Sequence, residues 1–248
     1  MIALSSAVKI IQDDQKRSQK PLAVVLAGHN GSGKSTLWYK HLANQFQIPL
    51  INADRMMMSI LPEATTAQPL PRWASHIRDK DPSWMTLAQK GVEAFVAQAM
   101  AYKVPFAMET VFSHWKKIGE GKIESKIDLI RQMQNSGYYV LLLFVGLSNI
   151  QLSIARVQTR VASGGHDVDI NKLVSRFPRT QKAVKEAVSI ADATILTDNS
   201  RKPRSAFTIC RIQMGTREIY DIRKDNRKGQ PVILEWLNII SPLNTSGK

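Results

Sequence analysis

Cysteine is almost absent from this chain, which has Cys210 alone among its 248 residues. A single cysteine excludes an intramolecular disulfide and any zinc site built from several cysteines. Low cysteine content is usual in the reducing cytosol, and we therefore expect a cytoplasmic protein. We expect no secretory signal, because Asp13 and Asp14 follow the short apolar stretch at the amino terminus and no cleavage-site pattern is present.

Long hydrophobic runs are also missing. The most apolar stretch, "YYVLLLFVGL" at 138–147, has about half the length that a membrane-spanning helix needs. A run of this length is typical of a strand buried inside a sheet, so we expect no membrane association. Hydrophobic residues make up 44% of the chain, which is enough for a substantial core.

Acidic residues are few, with 20 Asp and Glu against 34 Lys and Arg and a net charge of +14. This balance favours polyanionic partners such as nucleotides or nucleic acid, although a basic surface without such a partner explains it equally well. The last part of the chain, 201–248, holds ten basic and four acidic residues. We expect a main domain at 1–200 and a basic C-terminal extension at 201–248, packed on or beside it.

Apolar runs alternate with segments of helical periodicity along most of the chain. Such alternation predicts an α/β fold in which helices cover both faces of a parallel sheet. Beyond residue 205, alternating apolar and polar residues predict an antiparallel hairpin added at the sheet edge. The expected strands are 22–28, 48–54, 104–110, 138–145 and 192–200. The expected helices are 3–19, 34–46, 122–135, 149–162 and 170–190. A further helical region at 56–103 is broken by prolines, and we expect Ser83 to cap its last helix.

The stretch "GHNGSGKS" at 28–35 fits the phosphate-loop pattern G-x-x-x-x-G-K-[ST] between a predicted strand and a predicted helix. Glycines let successive backbone N–H groups point at phosphate oxygens. Lys34 is expected to reach the β- and γ-phosphates, and Ser35 to bind Mg²⁺. We predict that the loop binds ATP or GTP through Gly28, Asn30, Gly31, Ser32, Gly33, Lys34, Ser35 and Thr36.

Polar residues at the predicted strand ends favour phosphoryl transfer over a motor or switch function. The strand "LLLFVG" ends without the acidic residue that motor and switch ATPases place there, whereas Asp54 and Glu109 end two other strands. A kinase needs a carboxylate to orient or deprotonate the acceptor hydroxyl, and we assign this role to Asp54. The alternative for Asp54 is a helix cap. Glu109 binds a substrate hydroxyl, has a role linked to Mg²⁺, or is simply a polar strand end.

Basic side chains flank the predicted loop at 163–169. Arg156 and Arg160 lie four residues apart and share a helix face, and we expect one of them rather than both to point at phosphate. Arg176 is a further candidate on the following helix. His166 either contacts a ligand or stabilises the turn.

Five segments together resemble the zeta-toxin family of P-loop kinases, in particular its short bacterial branch. The resemblance spans about 20–200, and the ordered set is more specific than the phosphate loop alone. The segments are "AGHNGSGKST", "NAD" (52–54), "ETVFS" (109–113), "RVQTRVASGGHDV" (156–168) and "ILTDNS" (195–200).

The resemblance implies a kinase of nucleotide-kinase-like fold that uses a nucleoside triphosphate and Mg²⁺. Better-characterised zeta toxins phosphorylate a sugar hydroxyl of UDP-N-acetylglucosamine and are restrained by a small antitoxin at the nucleotide site. By position, the resemblance assigns catalytic roles to Lys34, Asp54 and Arg160, with Arg156 as the alternative to Arg160. It assigns substrate contacts to Glu109 and Thr110. His166 or Arg176 takes the place of the family's second lid arginine, and Asp198 and Asn199 lie near the nucleotide base.

Two other functions stay open. A kinase acting on a nucleic-acid end is favoured by the charge, but the chain has no basic segment studded with the aromatic residues on which bases stack. A nucleotide-dependent binding module with slow ATP hydrolysis would need no acceptor. The identity of the acceptor also stays open.

Overall fold

The computed structural model describes residues 2–63, 68–119, 121, 123–165, 167–225 and 230–243. Within these residues, seven strands form one sheet and two short strands form a separate hairpin. The sheet consists of β1 Leu22–Gly28, β2 Leu50–Ile51, β3 Phe106–Thr110, β6 Tyr139–Gly146, β7 Ala193–Asp198, β8 Thr208–Met214 and β9 Arg217–Asp221, and the hairpin of β4 Trp115–Lys117 and β5 Ile123–Ser125.

The strand order is β2-β3-β1-β6-β7-β8-β9, and the first five strands run parallel. Every residue of the central strands β1 and β6 is buried, as expected for continuous apolar runs covered on both faces. The register sets Leu26 of β1 beside Glu109 of β3. The predicted α/β fold is confirmed, and the carboxyl ends of these strands meet at one edge of the sheet.

Helices pack on both faces of this sheet. They are α1 Leu4–Ser18, α2 Lys34–Leu37, a π-helical turn at Trp38–Leu42, α3 Ala43–Phe46, α4 Ala53–Ser59, α5 Arg72–Asp79, α6 Pro82–Tyr102, α7 Lys126–Asn135, α8 Ile150–Ala162, α9 Ile170–Val188 and α10 Pro231–Ile240. Alternate residues of β1 enter opposite cores: Ala23 and Val25 pack with α6, α7, α9 and α10, whereas Val24 packs with α1, α2 and α3.

Two predicted helix starts were wrong. Helix α6 begins at Pro82, and its cap is Asp81 rather than Ser83, because the Asp81 carboxylate accepts a hydrogen bond from the Ser83 N–H at 2.9 Å. Proline is favoured at the first helical position, which reinforces this start. Helix α7 begins at Lys126 rather than near 122, since the residues before it pair with β4 and Ser125 caps the helix.

The second strand is also shorter than the predicted 48–54. It ends at Ile51 because the Asn52 side chain caps the next helix, accepting a hydrogen bond from the Arg55 N–H at 3.2 Å. This early end places Asp54 in the first turn of α4 instead of on a strand.

The segment after residue 200 contributes to the main sheet. Strand β8 pairs antiparallel with β7 from Ala193 beside Met214 to Asp198 beside Thr208, which confirms the predicted hairpin at the edge. Helix α10, which the sequence analysis did not anticipate, buries Trp236 and Leu237 in the core. Among the described residues, no helix is long and apolar enough to cross a membrane.

Candidate active site

The phosphate loop joins β1 to α2 and depends on its glycines. Gly31 and Gly33 have φ angles of +70° and +89°, in the left-handed region that side chains disfavour. A Cβ atom on Gly28 would lie 2.6 Å from the carbonyl oxygen of Val145, so any larger residue would collide with β6. These three positions therefore set the curl of the loop.

The Lys34 side chain lies inside this curl. Its Nζ donates hydrogen bonds to the carbonyl oxygens of Gly28 at 3.0 Å and His29 at 3.1 Å. Burial lowers the pKa of Lys34, and the negative charges of Glu109 and Asp54 oppose this shift. The ammonium group is thus held at the loop with carboxylates close by.

Contacts from three later segments hold the loop from outside. Ser153 Oγ of α8 donates to the carbonyl oxygen of Asn30 at 2.7 Å, and Asn199 Nδ2 donates to that of Ser32 at 2.8 Å. The His29 ring stacks on Phe177 of α9 with ring centroids 3.8 Å apart. The loop conformation is therefore fixed by α8, α9 and the chain after β7.

Ser35, Glu109 and Asn52 form a hydrogen-bonded group beside the loop. The Glu109 carboxylate accepts from Ser35 Oγ at 2.9 Å and from Asn52 Nδ2 at 2.7 Å, and Lys34 Nζ lies 3.9 Å away. Mg²⁺ in nucleotide sites is bound by one or two carboxylates together with phosphates and water. The described residues contain no cluster of three or more His, Cys, Asp or Glu able to hold a metal alone. The Ser35 hydroxyl and the Glu109 carboxylate are the kind of ligands that fit a Mg²⁺ bound together with a nucleotide.

Asp54 lies exposed in the first turn of α4. The alternative that Asp54 caps this helix is wrong, because Asn52 is the cap. Asp54 instead acts electrostatically on Lys34 and on Arg176. Burial lowers the pKa of Arg176, the neighbouring Arg179 lowers it further, and the Asp54 carboxylate opposes both effects.

Arg156 and Arg160 lie at different parts of the phosphate loop. Arg160 is close enough to Lys34 for its positive charge to lower the pKa of that lysine. Arg156 packs against Gly31, where a Cβ atom would lie 3.0 Å from Arg156 Cβ, and its charge interacts with Asp198. The charge of Arg160 thus acts on the phosphate-loop lysine, whereas the charge of Arg156 interacts with Asp198 at the end of β7.

The family model described as zeta toxin matches residues 8–205, most of the chain. The chain belongs to the zeta-toxin family. It is 29% identical over 145 residues to an uncharacterised protein of Haemophilus influenzae, covering 58% of this chain and 84% of that protein.

Two solved structures show the same fold at low sequence identity. One, from the PezAT chromosomal toxin-antitoxin system of Streptococcus pneumoniae, has a TM-score of 0.51 at 13% identity and covers 97% of this chain and 95% of its own. The other, from the AvrRxo1-ORF1:ORF2 complex with ATP, has a TM-score of 0.58 at 13% identity and covers 98% and 74%. Together with the family match, they support a nucleotide-dependent kinase.

Three further predicted site residues of this zeta-toxin family member lie within the described ranges. Thr110 Oγ1 accepts a hydrogen bond from the Phe112 N–H at 3.0 Å, and Thr36 is exposed in the first turn of α2. Asn199 contacts the backbone of the phosphate loop through its side chain. His166 lies outside the described residues.

Sequence reasoning assigned no role to four residues that hold this site: His29, Asn52, Ser153 and Phe177. Only Asn52 carried a local signal, since an asparagine that ends a strand before a helical segment is a favoured cap. The contacts of the other three join positions far apart in the chain.

Proposed function

We propose that this protein is an ATP-dependent kinase that transfers the γ-phosphate to a hydroxyl group of a small molecule. The observation that carries the proposal is the position of Asp54, an exposed carboxylate within electrostatic reach of both Lys34 and Arg176. A carboxylate beside the phosphate-binding lysine is suited to orient an incoming hydroxyl and accept its proton.

The phosphate loop supplies the nucleotide half of this reaction, with ATP or GTP as the donor. The N–H groups of the loop and the start of α2 bind the phosphates, and Lys34 moves its hydrogen bonds from loop carbonyls to the β- and γ-phosphates. Ser35 and Glu109 would hold Mg²⁺, which would supply positive charge against those phosphates. Asn52 keeps the Glu109 carboxylate facing Ser35.

The acceptor half is formed by the start of α4 and by α9. Asp54 receives the proton of the acceptor hydroxyl, and Arg160 and Arg176 stabilise negative charge that develops on the transferred phosphoryl group. Family membership makes a UDP-amino sugar such as UDP-N-acetylglucosamine the first acceptor to test. We also propose a protein antitoxin as partner, because a structural relative comes from a toxin-antitoxin system.

The test incubates the protein with ATP, Mg²⁺ and separate acceptors, and mass spectrometry detects the gain of one phosphate. The panel contains UDP-sugars, a mixture of cell metabolites and an oligonucleotide with a free 5′-hydroxyl. We expect a phosphorylated small molecule, and none with Asp54→Asn. A phosphorylated oligonucleotide would support the nucleic-acid alternative, whereas ATP hydrolysis that is unchanged in Asp54→Asn and leaves every acceptor unmodified would contradict kinase activity.

A further inference from the structure

The C-terminal segment beyond residue 205 lies outside the region that the family model matches, yet it reaches the phosphate loop. The Phe207 side chain is only 8% exposed. Its Cε1 and Cζ atoms lie 3.5 Å from the position that a Cβ atom on Gly33 would occupy. The same ring meets the edge of His41, in the helix that follows the loop, at 5.5 Å between centroids. Phe207 therefore packs directly against the outer side of the loop.

The backbone of Phe207 shows that its position is tightly determined. Its φ angle is +53°, in the left-handed region, where a bulky residue is a true outlier. Such a conformation persists only where the surrounding structure fixes it. Here the chain leaves a short 3₁₀ turn at Pro203–Ser205 and enters β8 at Thr208, which pairs with Asp198. The turn into the main sheet thus directs the Phe207 ring at Gly33.

Helix α10 makes a second connection to the loop. Trp236 Nε1 donates a hydrogen bond to the fully buried Asp198 carboxylate at 3.3 Å. The Trp236 ring also packs on Gly146, where a Cβ atom would lie 2.9 Å from the ring, and the Gly146 carbonyl oxygen accepts from the Asn199 N–H at 3.1 Å. Asn199 in turn donates to the carbonyl oxygen of Ser32. Trp236 therefore contacts Gly146, which bonds to the Asn199 backbone, and Asp198, which precedes Asn199 in the chain.

We propose that the C-terminal segment positions the phosphate loop for nucleotide binding, Phe207 by direct packing on Gly33 and Trp236 through Asp198 and Asn199. A loop that is already curled binds phosphate without the entropic cost of ordering it, so these contacts raise affinity. This inference rests on the proposed function in one respect, because it requires that the phosphate loop binds a triphosphate.

The test measures the dissociation constants of ATP and of inorganic tripolyphosphate by calorimetry. Phe207→Gly removes the ring but keeps a residue that adopts the positive φ readily. We expect both ligands to bind about tenfold more weakly to this variant, equivalent to about 1.4 kcal/mol. Tripolyphosphate has no nucleobase, so weaker binding of both ligands indicates a change in the phosphate loop itself. Trp236→Phe keeps an aromatic ring in the core but loses the hydrogen bond to Asp198. We expect the affinity for both ligands to fall about threefold, which is within the net free energy of one hydrogen bond.

Met214→Ala is the matched control, because Met214 is buried in the same core as Phe207 but at the far end of β8, beside Ala193. We expect it to lower the unfolding temperature and to leave both dissociation constants unchanged. The proposal is overturned if folded Phe207→Gly binds tripolyphosphate as tightly as the wild type does, even if its ATP binding weakens. It is also overturned if Met214→Ala weakens the binding of both ligands as much as Phe207→Gly does. Wild-type protein that binds neither ligand would instead overturn the proposed function, and this inference with it.

Discussion

The two halves of the proposed site differ in how their basic side chains are paired, since Lys34 donates hydrogen bonds to the phosphate loop and Arg176 makes no such bond to a described residue. On the nucleotide side, Asn30, Ser32 and Lys34 all take part in hydrogen bonds that hold the loop. On the acceptor side, Asp54 is exposed, and Arg176 is half-buried without a hydrogen bond or ion pair to any residue in the described ranges. The phosphate loop is thus held by hydrogen bonds before ligand binds, whereas the Arg176 guanidinium group has no such bond within the described ranges.

This contrast points to what the acceptor half binds. Removing a guanidinium group from water is unfavourable unless an anion compensates it, and the nearby Asp54 carboxylate does so only in part. A phosphate on the acceptor, or the phosphoryl group in transfer, would complete the pairing of Arg176. We therefore expect substitutions on the nucleotide side to abolish donor binding and those on the acceptor side to affect turnover.

Lys34→Ala should have the largest effect. The β- and γ-phosphates lose the cation that positions them, so we expect phosphoryl transfer to fall to background and ATP affinity to drop with it. The measurement is ATP binding by calorimetry together with the phosphate-transfer assay. Lys40→Ala, at an exposed position in the π-helical turn, is the control and should behave as the wild type. Transfer retained by Lys34→Ala would remove the basis for treating the loop as the donor site.

Asp54→Asn tests the opposite side of the comparison. The amide keeps the shape of the side chain but cannot accept the proton, so we expect turnover to fall by about 10²–10⁴-fold. ATP affinity should be unchanged, because donor binding belongs to the other half. Asp13→Asn on α1, also exposed, serves as control. A large loss of ATP affinity in Asp54→Asn would show that the two halves are not separable in this way.

The parts of the site that could be predicted from the sequence are contiguous motifs and the ends of parallel strands. The phosphate loop is contiguous, and its glycine, lysine and serine spacing specifies the geometry, so 28–36 could be interpreted without the fold. Asp54 and Glu109 were found because parallel strands bring their carboxyl ends together. The parallel sheet and its C-terminal hairpin followed from alternation of apolar runs.

Contacts between distant residues were not predictable in this way. The His29 ring meets Phe177, and Asn52 meets Glu109, only once the sheet has assembled. Helix α10 was missed because its exposed side also carries the apolar residues Val232 and Ile239, so that the contrast between its buried and exposed faces is weak in the sequence. The early end of β2 is a further case, since a capping side chain rather than apolar pattern decided it.

Arg176→Gln should have a smaller effect than Asp54→Asn. Loss of a hydrogen bond to a charged group corresponds to about 1.5–3 kcal/mol, or roughly 10- to 150-fold in kcat/KM for the acceptor. Arg179→Gln is the matched control on the same helix, because its guanidinium group already bonds to Ser175 at 2.9 Å. ATP affinity should be the same in both variants. If the two variants lose activity equally, general basicity of α9 rather than Arg176 itself supports the reaction.

Stability at low pH, rather than activity, tests the rigidity of the nucleotide side. Burial and, to a smaller extent, the charge of Lys34 lower the pKa of His29 to about 3, whereas a histidine in the unfolded chain titrates near 6.5. Between these values the unfolded state binds a proton that the folded state does not. The free energy of unfolding should therefore decrease as pH falls below about 6.5, by up to about 1.4 kcal/mol for each pH unit.

His29→Gln separates this contribution from that of other groups that titrate in acid. Denaturant unfolding at several pH values between 7 and 4 should show wild type losing stability faster than the variant, so that their difference shrinks towards low pH. His76→Gln, at an exposed position on α5, should follow wild type throughout. Parallel curves for wild type and His29→Gln would mean that the imidazole is not held neutral against Phe177, and that the phosphate loop and α9 are less firmly joined than their stacking indicates.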